Sequence, residues 1–191
     1  MCQQIKSLTH KLHGLLAPLL MSSDLWHSIF MDFITDLPSN GEEKNPYNSV
    51  LVVVNQFMKL EHFTACWKTI NALKLADLLL KHMFKDFGFL NNIVLDRGSV
   101  FTSEYWLELC FHMKIQQKLS TAFHPQMDGQ TEALNKILEV YLCAYCNYRQ
   151  DNWEEWLVYA EFTYNRLEHF TMHMSLFKTM YGFESRGSDG I

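Results

Sequence analysis

The sequence predicts an α/β domain: a five-stranded mixed sheet with helices on both faces. Three observations carry that prediction. Three segments rich in β-branched and aromatic residues come first, joined by short polar connections. Segments of helical periodicity then alternate with further strands. The resulting order is three strands, helix, strand, helix, strand and two helices, which fits a sheet begun as an antiparallel meander and completed by crossovers.

The first strand is expected at about Trp26 to Leu37. Ile29, Met31 and Phe33 alternate with Phe30, Asp32 and Ile34, and both sets are largely apolar. That pattern belongs to a central strand covered on both faces, with one charge in its middle. Residues 38 to 48 form a polar loop. Ser49 to Phe57 (SVLVVVNQF) and Leu60 to Trp67 supply the second and third strands. A helix is expected from about Asn71 to Phe87, since Leu75, Leu79, Met83 and Phe87 recur every four residues. Asn71 is its cap and Gly88 its stop. Asn92 to Leu95 is a short strand running into Asp96, and Ser103 caps a helix from Glu104 to His112. Lys114 to Leu119 is the fifth strand. Ser120 to Gln130 (STAFHPQMDGQ) reads as a loop, followed by a long helix from about Thr131 to Tyr148 and helices at Trp153 to Asn165 and Ser175 to Met180.

The bulk numbers suit a folded domain. Of 191 residues, 48% are hydrophobic and 19% charged, well outside the disordered range. The formal charge of -5 runs against a dedicated nucleic-acid binder, which usually carries a basic excess. The deficit is local: Glu132 to Phe170 holds seven acids and three bases. Cations bound in an acidic pocket would supply the missing positive charge. The five cysteines (Cys2, Cys66, Cys110, Cys143, Cys146) are odd in number and sit mostly in apolar or helical contexts, so they do not read as a disulfide framework. The chain is expected to be intracellular, nuclear or cytoplasmic, with no membrane association. Leu12 to Met21 is too short to span a bilayer and lacks the continuous apolar core of a signal peptide.

Three carboxylates stand out. Asp32 lies within an apolar strand, where an unpaired charge costs several kcal/mol and calls for a partner. Asp96 ends a strand, where α/β sheets place ligand groups, although a turn-capping role in Asp96-Arg97-Gly98 is an alternative. Glu132 falls in the first turn of the long helix, opposite an apolar stripe through Leu134, Leu138, Tyr141, Leu142, Tyr145 and Tyr148. Taken alone it reads first as a solvent-facing acid that favours a helix N-terminus. Asp96 and Glu132 are separated by 35 residues. The paired Cys143 and Cys146, and the histidines at 10, 13, 169 and 173, lack the partners of a zinc site, and no zinc is expected.

Several segments resemble the catalytic core of retroviral and retrotransposon integrases, most closely those of gypsy-type long-terminal-repeat elements. They are Trp26 to Leu37 (WHSIFMDFITDL), Ser49 to Phe57, Ile93 to Phe101 (IVLDRGSVF) and above all Ser120 to Asn135 (STAFHPQMDGQTEALN), extended by Asn147 to Trp153, Ala160 to Asn165 and Tyr181-Gly182. The resemblance implies a ribonuclease H-like fold. It places the family's acidic triad on Asp32, Asp96 and Glu132. These would hold two Mg²⁺ or Mn²⁺ ions for in-line attack on a phosphodiester, the chemistry of DNA 3′-end processing, endonuclease cleavage and strand transfer. It implies DNA contacts by His124, Gln126 and Gln130, and by Lys136, for which a salt bridge to Glu132 is the alternative. It also implies a homodimer through the core.

The resemblance gives a domain reading as well: 1-24 as the linker remnant of a lost zinc-binding module, 25-183 as the core, and 184-191 as a disordered tail. Some positions depart from the family pattern. Asn55-Gln56 stand where Asp-Arg is usual, Met127 replaces threonine, Ala133 replaces an arginine beside the glutamate, and Leu176 replaces a proline. With the flanking modules expected to be missing, these departures support an alternative: a catalytically inactive, domesticated descendant acting in protein or nucleic-acid binding.

Overall fold

The computed structural model describes residues 26–40, 46–95, 98–119, 125–169 and 172–187, excepting the side chains of 119 and 125–134. Five strands form one sheet in the order β3-β2-β1-β4-β5. They are Ser28–Ile34 (β1), Ser49–Asn55 (β2), Glu61–Cys66 (β3), Asn92–Leu95 (β4) and Gln116–Leu119 (β5). β1, β2 and β3 pair antiparallel as a meander, whereas β4 and β5 join in parallel on the other side of β1. The mixed sheet expected from the order of elements is therefore present. The first strand is shorter than its apolar run, and Asp36 turns the chain with a positive φ of 66°.

Two cores lie on opposite sides of the sheet, and the alternation of side chains along β1 assigns each residue to one of them. Ile29 and Met31 enter the core under α1 (Ala72–Leu79) and α3 (Glu104–His112). Phe30 and Ile34 enter the core under α4 (Pro125–Tyr145) and α5 (Trp153–Arg166). β2 divides the same way, with Leu51 and Val53 on the first side and Val50, Val52 and Val54 on the second.

The Asn71 side chain accepts from the Lys74 N–H at 2.9 Å and so caps α1. α1 continues through a π-helical turn, Leu80–Phe84, into α2 (Lys85–Phe87). A stripe spaced strictly by four drifts about 40° per repeat on a 3.6-residue helix. The wider turn takes up that drift and keeps Met83 buried with Leu75 and Leu79. Gly88 ends the helix at φ 77°.

The long helix departs most from expectation. α4 begins at Pro125, so residues 125–130, expected as loop, are helical, and it ends at Tyr145 rather than Tyr148. Proline is well suited to a first helical position, where its missing N–H has no partner to lose. Tyr148 is fully exposed and outside the stripe assigned to it. A small hairpin, Glu168–His169 (β6) with Met174–Ser175 (β7), was not expected and leads into α6 (Leu176–Tyr181). The Glu184 carboxylate accepts from Ser175 Oγ at 2.7 Å, at the start of the segment read as a tail. Positions 1–24 lie outside the described residues. No helix among the described residues is long and apolar enough to cross a membrane.

Candidate active site

Asp32 is set near the C-terminal end of β1, opposite Val52 of β2. Its neighbours Met31 and Phe33 face the α1 side, so Asp32 itself faces α4 and is half-buried there. Its Oδ1 accepts from the Phe33 N–H at 2.8 Å. Its Oδ2 accepts from Asn135 Nδ2 of α4 at 3.0 Å. A carboxylate can only accept, so this bond fixes which end of the Asn135 amide faces Asp32. The Asn135 Oδ1 is then left buried with no hydrogen-bond partner among the described residues.

The register supplies the second strand. Met31 pairs with Leu95 in parallel, and Asp32 and Asp96 are the residues that follow each in sequence. Asp96 itself, like Arg97 and His124, lies outside the described residues. Glu132, Gln126 and Gln130 occupy backbone positions of α4, but their side chains also lie outside them. Position 132 is three residues before Asn135 on one continuous helix, hence on the same side of it. The apolar stripe, through Leu138 and Leu142, is the face packed on the sheet, and Asn135 at the edge of that stripe reaches Asp32. Lys136 is exposed at the next position, about 100° around the helix from Asn135.

Among the described residues no three His, Cys, Asp or Glu side chains gather as metal ligands. What is described fits a hard cation: the Asp32 carboxylate, held by the Phe33 N–H and the Asn135 amide, and the orphaned Asn135 carbonyl oxygen beside it are both oxygen donors. The cysteines offer nothing of the kind. Burial pushes the Cys66 thiol up to about 12 and the Cys110 thiol to about 11, so both are inert. Cys143 is exposed.

Sequence reasoning missed two groups of residues. One is Asn135, whose position three residues after Glu132 was the available signal. The other is Glu61, 1% exposed at the start of β3, with α5 packed over it. Its signal was Glu161 and Asn165, four apart on a helix and both polar where a core face belongs.

No family model matches the chain. It is 32% identical over 182 residues to the Tf2-3 and Tf2-4 transposon polyproteins of Schizosaccharomyces pombe, a match taking in 95% of this chain. The chain spans only 13% of the length of each of these relatives. Among solved structures, it resembles the HTLV-2 integrase catalytic core domain in complex with magnesium, with a TM-score of 0.59 and 20% identity over 80% of this chain and 95% of that one. It resembles the BIV integrase catalytic core with a TM-score of 0.60 and 20% identity, over 81% and 93% of the two chains. A chain of the simian T-cell lymphotropic virus intasome, in complex with the PP2A regulatory subunit B56 gamma, gives a TM-score of 0.63 at 20% identity, over 85% of this chain and 56% of that one. The chain is a homologue of the Tf2 retrotransposon polyproteins, and its five-stranded mixed sheet is the ribonuclease H-like fold of integrase catalytic cores.

Proposed function

We propose that this chain is the catalytic core of an integrase-type polynucleotidyl transferase, which trims DNA 3′ ends and joins them to a target strand. The observation that carries the reading is the Asn135–Asp32 hydrogen bond. It brings the helix that bears position 132 onto the strand that bears Asp32, at the end of β1 that pairs with the run into Asp96. Homology to the transposon polyproteins and the shared fold support it. Asp32, Asp96 and Glu132 would hold two Mg²⁺ or Mn²⁺ ions. Bound there, the ions would supply Lewis-acid stabilisation of phosphodiester oxygens and an activated water or 3′-hydroxyl.

The chain's own residues have distinct parts in this reading. The Phe33 N–H and the Asn135 amide orient the Asp32 carboxylate. His124, Gln126, Gln130 and Lys136 precede or line α4 and would position the DNA backbone. The magnesium-bound core and the intasome among the similar structures favour a divalent metal and DNA as partner, and the dimeric form of that HTLV-2 core, known beside a trimeric one, favours a dimer through the core. A compartment holding DNA follows from that partner.

The test is a Mn²⁺-dependent DNA cleavage and disintegration assay on the chain beside its Asp32→Asn variant. Activity in the first and none in the second is expected. Equal signal from both would mean that the activity belongs to a contaminant.

A further inference from the structure

β3 is an edge strand, covered on its outer side by α5 rather than by another strand. α5 makes the cover with side chains that bond the strand's backbone. Asn165 Oδ1 accepts from the Glu61 N–H at 3.0 Å, and Asn165 Nδ2 donates to the Glu61 carbonyl at 2.8 Å. One helical turn earlier, Glu161 Oε2 accepts from the Phe63 N–H at 2.9 Å, while its other oxygen lies 2.9 Å from His62 Nδ1. Side chains four apart on a helix are about 6 Å apart along it, and so are strand residues two apart, so the two elements match.

The Glu61 side chain lies within this contact. It is buried, and neither carboxyl oxygen has a hydrogen-bond partner among the described residues. Burial opposes its charged form most, the nearby Tyr164 hydroxyl of α5 favours that form, and the Glu161 carboxylate opposes it. A charge buried at this contact is strongly disfavoured. That penalty works against the three backbone-directed hydrogen bonds that hold the contact.

The geometry points to a proton-operated latch: α5 is held on the edge of β3 while Glu61 is protonated and is released when Glu61 ionises. Glu161 and Tyr164 face the latch from α5, and His62 from β3 itself. His82 of the π-helical turn and Lys85 of α2 share the field of Glu161, as do Asp86 of α2 and Tyr181 of α6. Lys59 stands on the turn before β3. Burial pushes Glu61 from an ordinary 4.5 up to about 8. Released, Glu61 ionises above its ordinary value; docked, it keeps its proton until about 8. Docking is therefore firmest below the ordinary value. Opening becomes easier by about tenfold per pH unit between the two values, then levels off. Leu157 and Ala160 of α5 share a core with Leu138 and Leu142 of α4, so release also loosens the helix that holds Asn135 on Asp32.

Hydrogen exchange of the full chain tests the latch, with rates for residues 153–166 divided by the intrinsic rate at each pH. In the wild type the protection of α5 should fall about tenfold per pH unit from about pH 5.5 to about pH 8 and then flatten. In Glu61→Gln, which keeps the shape and the His62–Glu161 pair but cannot ionise, that slope should vanish. The same slope in both proteins overturns the latch, as does protection of α5 equal to that of the core strands at every pH, which would mean that α5 opens only with the whole fold. Glu61→Leu gives the same reading should the glutamine variant not fold. The Glu61 carboxyl ¹³C resonance of the wild type provides a direct check. A midpoint above about pH 7 supports the latch, and one near the ordinary value overturns it.

Discussion

Asp32 and Asn135 carry the candidate site at the scale of single residues. In Asp32→Asn an amide replaces a carboxylate that receives two N–H donors, so a ligating oxygen is lost and a second amide meets Asn135. DNA cleavage should fall by about 100-fold or more, several kcal/mol of transition-state stabilisation. Asn135→Ala leaves the carboxylate but frees its orientation. Removing such an orienting partner should weaken the Mn²⁺ dependence of cleavage about 10–100-fold, read as a shift in the metal concentration for half-maximal rate. Asp32 was legible in the sequence because a charge inside an apolar strand stands out. Asn135 was not, because its use depends on which side of α4 meets β1. Glu61 was not legible either: what buries it is a helix residue 104 positions away.

At the scale of elements, the caps were readable and the interruptions were not. Asn71 and Ser103 both accept from the N–H three residues on, at 2.9 and 3.3 Å, as their positions before apolar periodic runs implied. Pro125 and Gly129 were read as loop punctuation, yet both lie inside α4. Proline signals a boundary and does not say on which side of it the helix lies. The π-helical turn left no trace beyond a stripe spaced by four. Gly88 is a sharper case. It has φ 77° and ψ -175°, and a Cβ there would meet nothing within 4 Å. Gly88→Ala should therefore destabilise through backbone strain alone, by about 1–3 kcal/mol. Calorimetry should find the Tm lower by roughly 2–12 °C.

Across the whole molecule, a sheet with a core on either side was legible from the order of elements, since alternating helices and strands leave few other ways to cover both faces. Charge gave less. The acidic excess between 132 and 170 is partly engaged in structural contacts: Glu161 bonds β3, Asp151 bonds Asn147, and Glu154 accepts from Asn40. If Asp32, Asp96 and Glu132 form the metal site, Mn²⁺ should stabilise the entire fold by mass action, about 2.7 kcal/mol at one hundred times Kd. The wild-type Tm should then rise by roughly 5–10 °C, and Asp32→Asn should show no rise. In metal-free buffer the sign of the pH dependence follows from Glu61. Its folded value lies near 8 and its unfolded value near 4.5, so global stability should decline as pH rises between them. Denaturant midpoints measured across that window check this, with Glu61→Gln as the comparison.

The hydrogen bond that closes the site joins residues 103 positions apart in the chain. At ribosomal speeds, Asn135 is made about 5–20 s after Asp32. For that interval a nascent sheet can form around the strand that bears the acid, but the helix that covers it does not yet exist. Assembly of the centre is therefore a late event in biosynthesis, and a product that stops at β5 has the central sheet without the helix that completes its chemistry.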